Sequence, residues 1–179
     1  METSTNIEVE IKSLSPEIAE RLFELTEKNR NHIGKTLPWI DGVKTVNDTL
    51  DFINNFKKQE SENEGIAFGI WYQNNLVGVI DFHKINNKEK NAQIGYWIDE
   101  DYQGKGIVTK ACEMLVKHGF NVLNLNRLEI HCLTDNSKSA NIAKRLGFVK
   151  EGVLRESTIR HGRFQDMELY SLLKNEVKF

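Results

Sequence analysis

The chain has 179 residues, enough for one domain that buries a sizeable core without disulfides or metals. With 39% apolar and 28% charged residues and a net charge of −2, it reads as a soluble globular protein with no Lys/Arg-rich block, which argues against nonspecific nucleic-acid binding. A basic substrate is compatible with that balance. No apolar run of about 18 residues exists for a membrane span, and Met1-Glu2-Thr3-Ser4 lacks the basic start and apolar stretch of a secretion signal.

In chain order, the first strand is expected from Ile7 to Leu14. Ser15-Pro16-Glu17 then opens a helix, with Ser as N-cap, Pro at the first helical position and Ile18, Leu22 and Leu25 as its apolar stripe. Leu37-Pro38-Trp39 breaks that helix, and Thr45-x-x-Asp48 is a capping-box pattern for the next, which turns Val46, Leu50, Ile53 and Phe56 inward. Three strands follow at Ile66–Tyr72, Leu76–His83 and Asn91–Ile98, joined by Gln73-Asn74-Asn75 and Asn86-Asn87-Lys88 as an antiparallel meander. Val108, Ala111, Cys112, Leu115 and Val116 form a helical stripe, and Arg127–Leu133 alternates as a strand. Asn136 begins a further helix, which Gly147 closes, and His161-Gly162 turns a final hairpin. The order βααβββαβαββ predicts one α/β (α+β) domain over residues 1–179, since no linker, repeat or low-complexity segment divides it. Cys112 and Cys132 fall on apolar faces without CxxC spacing, which predicts buried thiols in a reducing cytoplasm. The five histidines show no metal-ligand spacing, so no metal is expected.

The segment Gln103-Gly104-Lys105-Gly106-Ile107-Val108-Thr109 lies between a predicted strand and a predicted helix. Its glycines allow close backbone approach, and the following helix offers unpaired N–H groups at the same point, which together suit a pyrophosphate. A tight turn that binds nothing would need the same glycines. The spacing fits neither GxxxxGK[ST] nor GxGxxG. Downstream, Asn136 is both an N-cap and a candidate ligand contact, and Ser139 lies one helical turn later, facing the same cleft.

Ile94-Gly95-Tyr96-Trp97-Ile98, the Gln103–Thr109 loop, and Asn136-Ser137-Lys138-Ser139 with Arg145-Leu146-Gly147-Phe148 resemble the GNAT superfamily of acetyl-CoA-dependent N-acetyltransferases. Leu37-Pro38-Trp39 and Glu151-Gly152 narrow the resemblance to its RimJ/RimL branch, the ribosomal-protein N-terminal acetyltransferases. The family loop Q/R-x-x-G-x-G/A is matched at Gln103 and Gly106, with Val108 in place of the last small residue. The resemblance implies a mixed, mostly antiparallel central sheet flanked by helices. It further implies that backbone amides of Gln103, Gly104, Lys105, Gly106, Ile107, Val108 and Thr109 hold the acetyl-CoA pyrophosphate, and that the main chain of Trp97 and Ile98 pairs with pantetheine. Asn136 would contact the pantetheine arm.

The general-acid tyrosine of many members is Ala143 here, and the branch's serine is matched by Ser139. The branch's glutamate base falls on Thr158, with Glu156 two residues earlier as a substitute; Glu129, His131, Asp81 and His83 are other basic candidates. Trp39 lies where the family places its acceptor site. The implied activity is transfer of acetyl from acetyl-CoA to a primary amine, the α-amine of a protein N-terminus, by direct attack on the thioester. Acetylation of a polyamine, amino acid or aminoglycoside and a non-catalytic coenzyme A-binding regulator are the alternatives. The resemblance also suggests a homodimer, with no nucleic-acid or membrane partner.

Overall fold

Residues 8–179 are described by a computed structural model, so the expectation for Ile7 lies outside the described residues. Seven strands form one sheet in the order β1-β2-β3-β4-β5-β7-β6. They are β1 (Val9–Ser13), β2 (Ile66–Tyr72), β3 (Asn75–Asn86), β4 (Asn91–Ile98), β5 (Arg127–Leu133), β6 (Val149–Arg160) and β7 (Arg163–Leu173). The helices are α1 (Ala19–Lys28), α2 (Arg30–Gly34), α3 (Val46–Ser61), α4 (Ile107–Asn121) and α5 (Ser137–Arg145).

Strand alternation assigns the two faces of the sheet. Ile80 and Phe82 of β3, Ala92 and Ile94 of β4, and Leu128, Ile130 and Cys132 of β5 pack with the α4 stripe Ala111, Cys112, Leu115 and Val116. Val79 of β3 faces the other way, toward Leu22 of α1 and Ile53 of α3, and Leu76 joins it because the β2–β3 register shifts between Leu76 and Gly78. Each buried Val, Leu, Ile or Phe among them stabilises the fold by about 1.5–3 kcal/mol. Thr45 and Asp48 form the expected reciprocal capping box: Asp48 N–H donates to Thr45 Oγ1 (3.3 Å) and Thr45 N–H to Asp48 Oδ2 (2.7 Å). Gly147 (φ 82°) closes α5, and His161 (φ 48°) with Gly162 (φ 72°) turns the β6–β7 hairpin.

Two expectations change. Ser15 makes no capping bond and Pro16 opens a short 3-10 turn ahead of α1. The first helix is also interrupted at Asn29, and α2 is the result. Asn29 is diverted by its side chain, whose Nδ2 donates to Leu25 O (3.0 Å) while its Oδ1 accepts from Glu100 N–H (2.9 Å). That long-range bond ties the helix to the loop after β4.

The sheet is antiparallel except at β4 and β5, which run parallel and pair only from Asn91↔Arg127 to Gln93↔Glu129. Beyond Gln93, β4 continues along β3 to Gly78↔Ile98, and β5 continues along β7 to Leu133↔Met167. The two strands therefore part, and the gap between them opens the centre of the sheet.

Candidate active site

The segment after β4 is anchored before it reaches the glycines. Asp99 is buried and its Oδ1 accepts from Asp101 N–H (3.1 Å), while Lys28 of α1 bonds both Asp99 (2.7 Å) and Asp101 (2.6 Å), so that its ammonium is held protonated well above the usual lysine range. Gly104 (φ 74°) and Gly106 (φ 75°) both adopt the left-handed conformation, which costs an L-residue about 1–2 kcal/mol. Gly106 is the N-cap of α4, so the first-turn N–H groups of that helix have no partner within it and point out beside the loop. Gln103 straps the loop from both sides: its Nε2 meets His32 Nε2 of α2 (2.6 Å), and its Oε1 accepts from Lys138 Nζ of α5 (2.7 Å).

Asp99 N–H donates to Val77 O (2.7 Å), which sets the phase of the β3–β4 ladder. Odd-numbered β4 residues turn their main-chain groups to β3, and even-numbered ones turn theirs toward β5, as Lys90 O does in accepting from Arg127 N–H. The N–H and C=O of Tyr96 and Ile98 thus face the gap, and those of Trp97 face β3. Trp97, expected to pair with pantetheine through its main chain, still borders the cleft between Tyr96 and Ile98. Asn136 caps α5 by accepting from Ser139 N–H at its Oδ1 (3.1 Å). Ser139 is buried, and its hydroxyl meets Tyr96 OH at 2.6 Å across the gap. Burial holds the Tyr96 phenol protonated far above its ordinary range, and pushes the adjacent Cys132 thiol up to about 11.

A cleft of about 600 Å3 runs from the glycine loop to Ser139, with Lys35, Lys138 and Arg145 along it. Every residue assigned to acetyl-CoA borders it except Lys105, whose ammonium lies 4.8 Å over the Tyr102 ring instead. Unpaired helix N–H groups, flanking cations and a mostly apolar cleft that reaches two hydroxyls fit a pyrophosphate followed by a pantetheine arm.

A second cleft, about 520 Å3, meets the first at Thr36, Tyr96, Asn136 and Ser139. Two histidine–carboxylate pairs border it from the strands on either side of β4: His83 Nδ1 with Asp81 Oδ1 (2.7 Å) on β3 and His131 Nε2 with Glu129 Oε2 (2.8 Å) on β5. Gly95 lies between Asp81 and its own neighbours without a side chain, where a Cβ would come within 3.0 Å of Asp81 and 3.1 Å of His83. Behind His131 runs a chain of charges, since Glu129 accepts from Arg127 Nε (2.8 Å) and Arg127 forks onto Glu151 (2.6 and 2.8 Å).

Two expected residues sit elsewhere. Glu156 is exposed in a β6 bulge (φ 50°), its N–H held by Asp166 Oδ1 (2.7 Å), and does not line the cleft. Trp39 is 41% exposed, stacks on Phe52 and tilts against Trp97, leaving Leu37 and Pro38 as the cleft lining. His32, Tyr96 and Arg160 were not picked out as functional from the sequence. Tyr96 stood within a quoted motif, but only the strand phase and the α5 packing bring its hydroxyl to Ser139.

Among the described residues no helix is long and apolar enough to cross a membrane, and no group of three His, Cys, Asp or Glu side chains gathers as a metal site. The sequence matches the acetyltransferase (GNAT) domain family over residues 9–149. A Bacillus subtilis (strain 168) protein, YdaF, provisionally named a ribosomal N-acetyltransferase, is 36% identical over 174 residues, 96% of this chain and 94% of that one. The ribosomal-protein-serine acetyltransferase of Escherichia coli (strain K12) is 31% identical over 163 residues, 91% of each chain. The solved structure of RimL, a ribosomal L7/L12 α-N-protein acetyltransferase in complex with coenzyme A, superposes with a TM-score of 0.90 at 26% identity, covering 94% of this chain and 95% of that one. The glycine loop, the parted strands and these likenesses agree: the chain belongs to the GNAT family and is an acetyl-CoA-dependent N-acetyltransferase.

Proposed function

We propose that this enzyme acetylates the α-amine of a protein N-terminus, of the ribosomal-protein type, acting as a single domain in the cytoplasm. The observation that carries the reading is the meeting of two clefts at the Ser139–Tyr96 pair, one suited to acetyl-CoA and the other open to a separate acceptor chain. The relatives named for ribosomal-protein acetylation support the acceptor class, and the buried free thiols Cys112 and Cys132 support a reducing compartment.

In this reading the amine enters through the second cleft and reaches the thioester carbon at the gap, where holding both reactants supplies much of the acceleration. His83 and His131, each oriented by a carboxylate, take the amine proton; Glu156 lies outside the cleft and is set aside as the base. An N-terminal amine has a pKa near 8, so about a tenth is free base at pH 7 and the demand on the histidines is modest. The Ile98 N–H faces the gap and bonds the oxygen on which negative charge develops. The Ser139 and Tyr96 hydroxyls hydrogen-bond the departing sulfur, whose own thiol pKa near 8.5 lets solvent complete the protonation.

Thiol release from acetyl-CoA, followed with free N-terminal peptides, N-blocked lysine peptides, spermidine, amino acids and an aminoglycoside, tests the reading. Free N-terminal peptides are expected to exceed the small amines at least about tenfold in kcat/KM. Turnover of small amines alone would overturn the acceptor assignment, and binding of acetyl-CoA without turnover on any amine would establish a regulator instead. Run from pH 6 to 9, the same assay on H83Q and H131Q is expected to show at least about a tenfold loss at low pH that shrinks as the free amine accumulates. Unchanged profiles in both variants would remove the histidines from proton transfer.

A further inference from the structure

The second cleft has an electrostatic character that the proton chemistry does not use. Its basic lining consists of His83, Lys84, His131 and Arg160, Tyr96 and Cys132 are held neutral by burial, and no Asp or Glu is among the residues that border it. The nearby carboxylates are already engaged: Asp81 with His83, Glu129 with His131 and Arg127, and Asp166 with the Glu156 N–H. Asp135 acts on Arg160 through its field, without a hydrogen bond to it.

Arg160 is the unusual member. It stands at the end of β6, beside the hairpin turn, and forms one wall of the cleft. Its Nε and Nη1 are both buried and have no hydrogen-bond partner among the described residues. Burial accordingly draws its pKa downward, with Asp135 opposing. A guanidinium with two desolvated, unpaired donors is costly, and its planar fork matches a carboxylate or phosphate better than any other group. The neighbouring donors thus stand ready for an anion brought in by the acceptor.

We propose that Arg160 pairs with an anionic group, a carboxylate or a phosphate, carried by the acceptor close to its reactive amine, and that the cleft thereby selects acidic acceptors and rejects polyamines. The proposal rests on the second cleft being the acceptor side. Lys84, which also lines the cleft, adds to the attraction for an anion and, with Arg160, repels the several ammonium groups of a polyamine.

The test compares kcat/KM for matched free N-terminal peptides that carry Glu, Gln, Lys or phosphoserine at the second or third residue, with spermidine as a further acceptor. The wild type is expected to favour Glu over Gln by at least about tenfold and to use Lys least. R160Q is expected to reduce the Glu-over-Gln ratio to below about twofold, with R160K between the two because it keeps the charge and loses the fork. Preference for phosphoserine over Glu identifies phosphate as the anion, and the reverse order identifies carboxylate; either sustains the proposal. Equal use of Glu and Gln by the wild type, or an unchanged ratio in R160Q, overturns it. Acetyl-CoA affinity and thermal stability of each variant separate misfolding from lost selectivity. Turnover of no peptide at all would instead sink the acceptor reading on which the proposal stands.

Discussion

Ser139 holds two bonds with different purposes, and they separate its roles. Its N–H is taken by Asn136 Oδ1 and belongs to the helix cap, whereas its hydroxyl is shared with Tyr96. A serine is a weak acid, and burial makes the Tyr96 phenol a weak one too, protonated far above its ordinary range. In the proposed mechanism their contribution is therefore hydrogen bonding to a leaving sulfur, worth about 1.5–3 kcal/mol when the acceptor is charged. S139A keeps the cap, since the backbone N–H remains. It is expected to lower kcat about 10- to 100-fold while acetyl-CoA affinity, measured by calorimetry, changes less than about threefold. An equal loss in both quantities would make Ser139 a binding residue alone. Ser139 was legible in the sequence through its spacing from Asn136, but its partner was not: Tyr96 lies 43 residues away and reaches it only through the packing of α5 on the sheet.

The loop joining β4 to α4 is the element whose form and purpose agree most closely. Two left-handed residues, two apart, aim the chain so that a helix N-terminus faces the cleft. At Gly104 a Cβ would meet nothing within 4 Å, so G104A tests conformation and not space. Holding alanine at φ 74° costs about 1–2 kcal/mol. The variant is expected to weaken acetyl-CoA binding about 5- to 30-fold, or to show the same cost as lowered thermal stability if the loop keeps its shape. No change in either measurement would mean that the left-handed conformation is not required. Local chemistry also made the capping box at Thr45 and the hairpin at His161-Gly162 readable, because a few adjacent residues decide them. The break between α1 and α2 was not readable, because Asn29 is held by Glu100, 71 residues away. Glu156 failed as a cleft residue for a related reason. Register shifts within β6, between Leu154 and Thr158, decide which side chains face inward, and alternation along the strand does not survive them.

At the scale of the whole molecule, the wall of the second cleft depends on how the last strands are fixed. Glu151 on β6 takes a forked pair from Arg127 on β5 and a bond from the Ser171 hydroxyl on β7 (2.5 Å), so it ties all three strands. Arg127 first, and then Ser171, lower its pKa from 4.5 to about 2. A carboxyl depressed in the folded state contributes stability that is present above the unfolded pKa and lost as pH falls through the folded one. The window is therefore about pH 4.5 down to 2. The melting temperature of E151Q is expected to fall below that of the wild type at pH 5 to 7, with the difference closing toward pH 2. Because the Glu151 side chain is 40% exposed, solvent screening keeps the effect modest. A constant difference across the whole range would show that the pair contributes nothing through its charge.

Periodicity, caps and turn residues in the sequence were enough for the strands, most helix starts and the donor loop, since each depends on neighbours within a few positions. The motif spacing also carried the family resemblance and so the expectation of acetyl-CoA. Three features were decided only by tertiary structure: the parting of β4 from β5, the meeting of Tyr96 with Ser139, and the unpaired Arg160 facing two histidine pairs across a cleft free of lining carboxylates. Each joins residues from separate elements, and their strand phase, register and burial are set by long-range packing that no local pattern encodes.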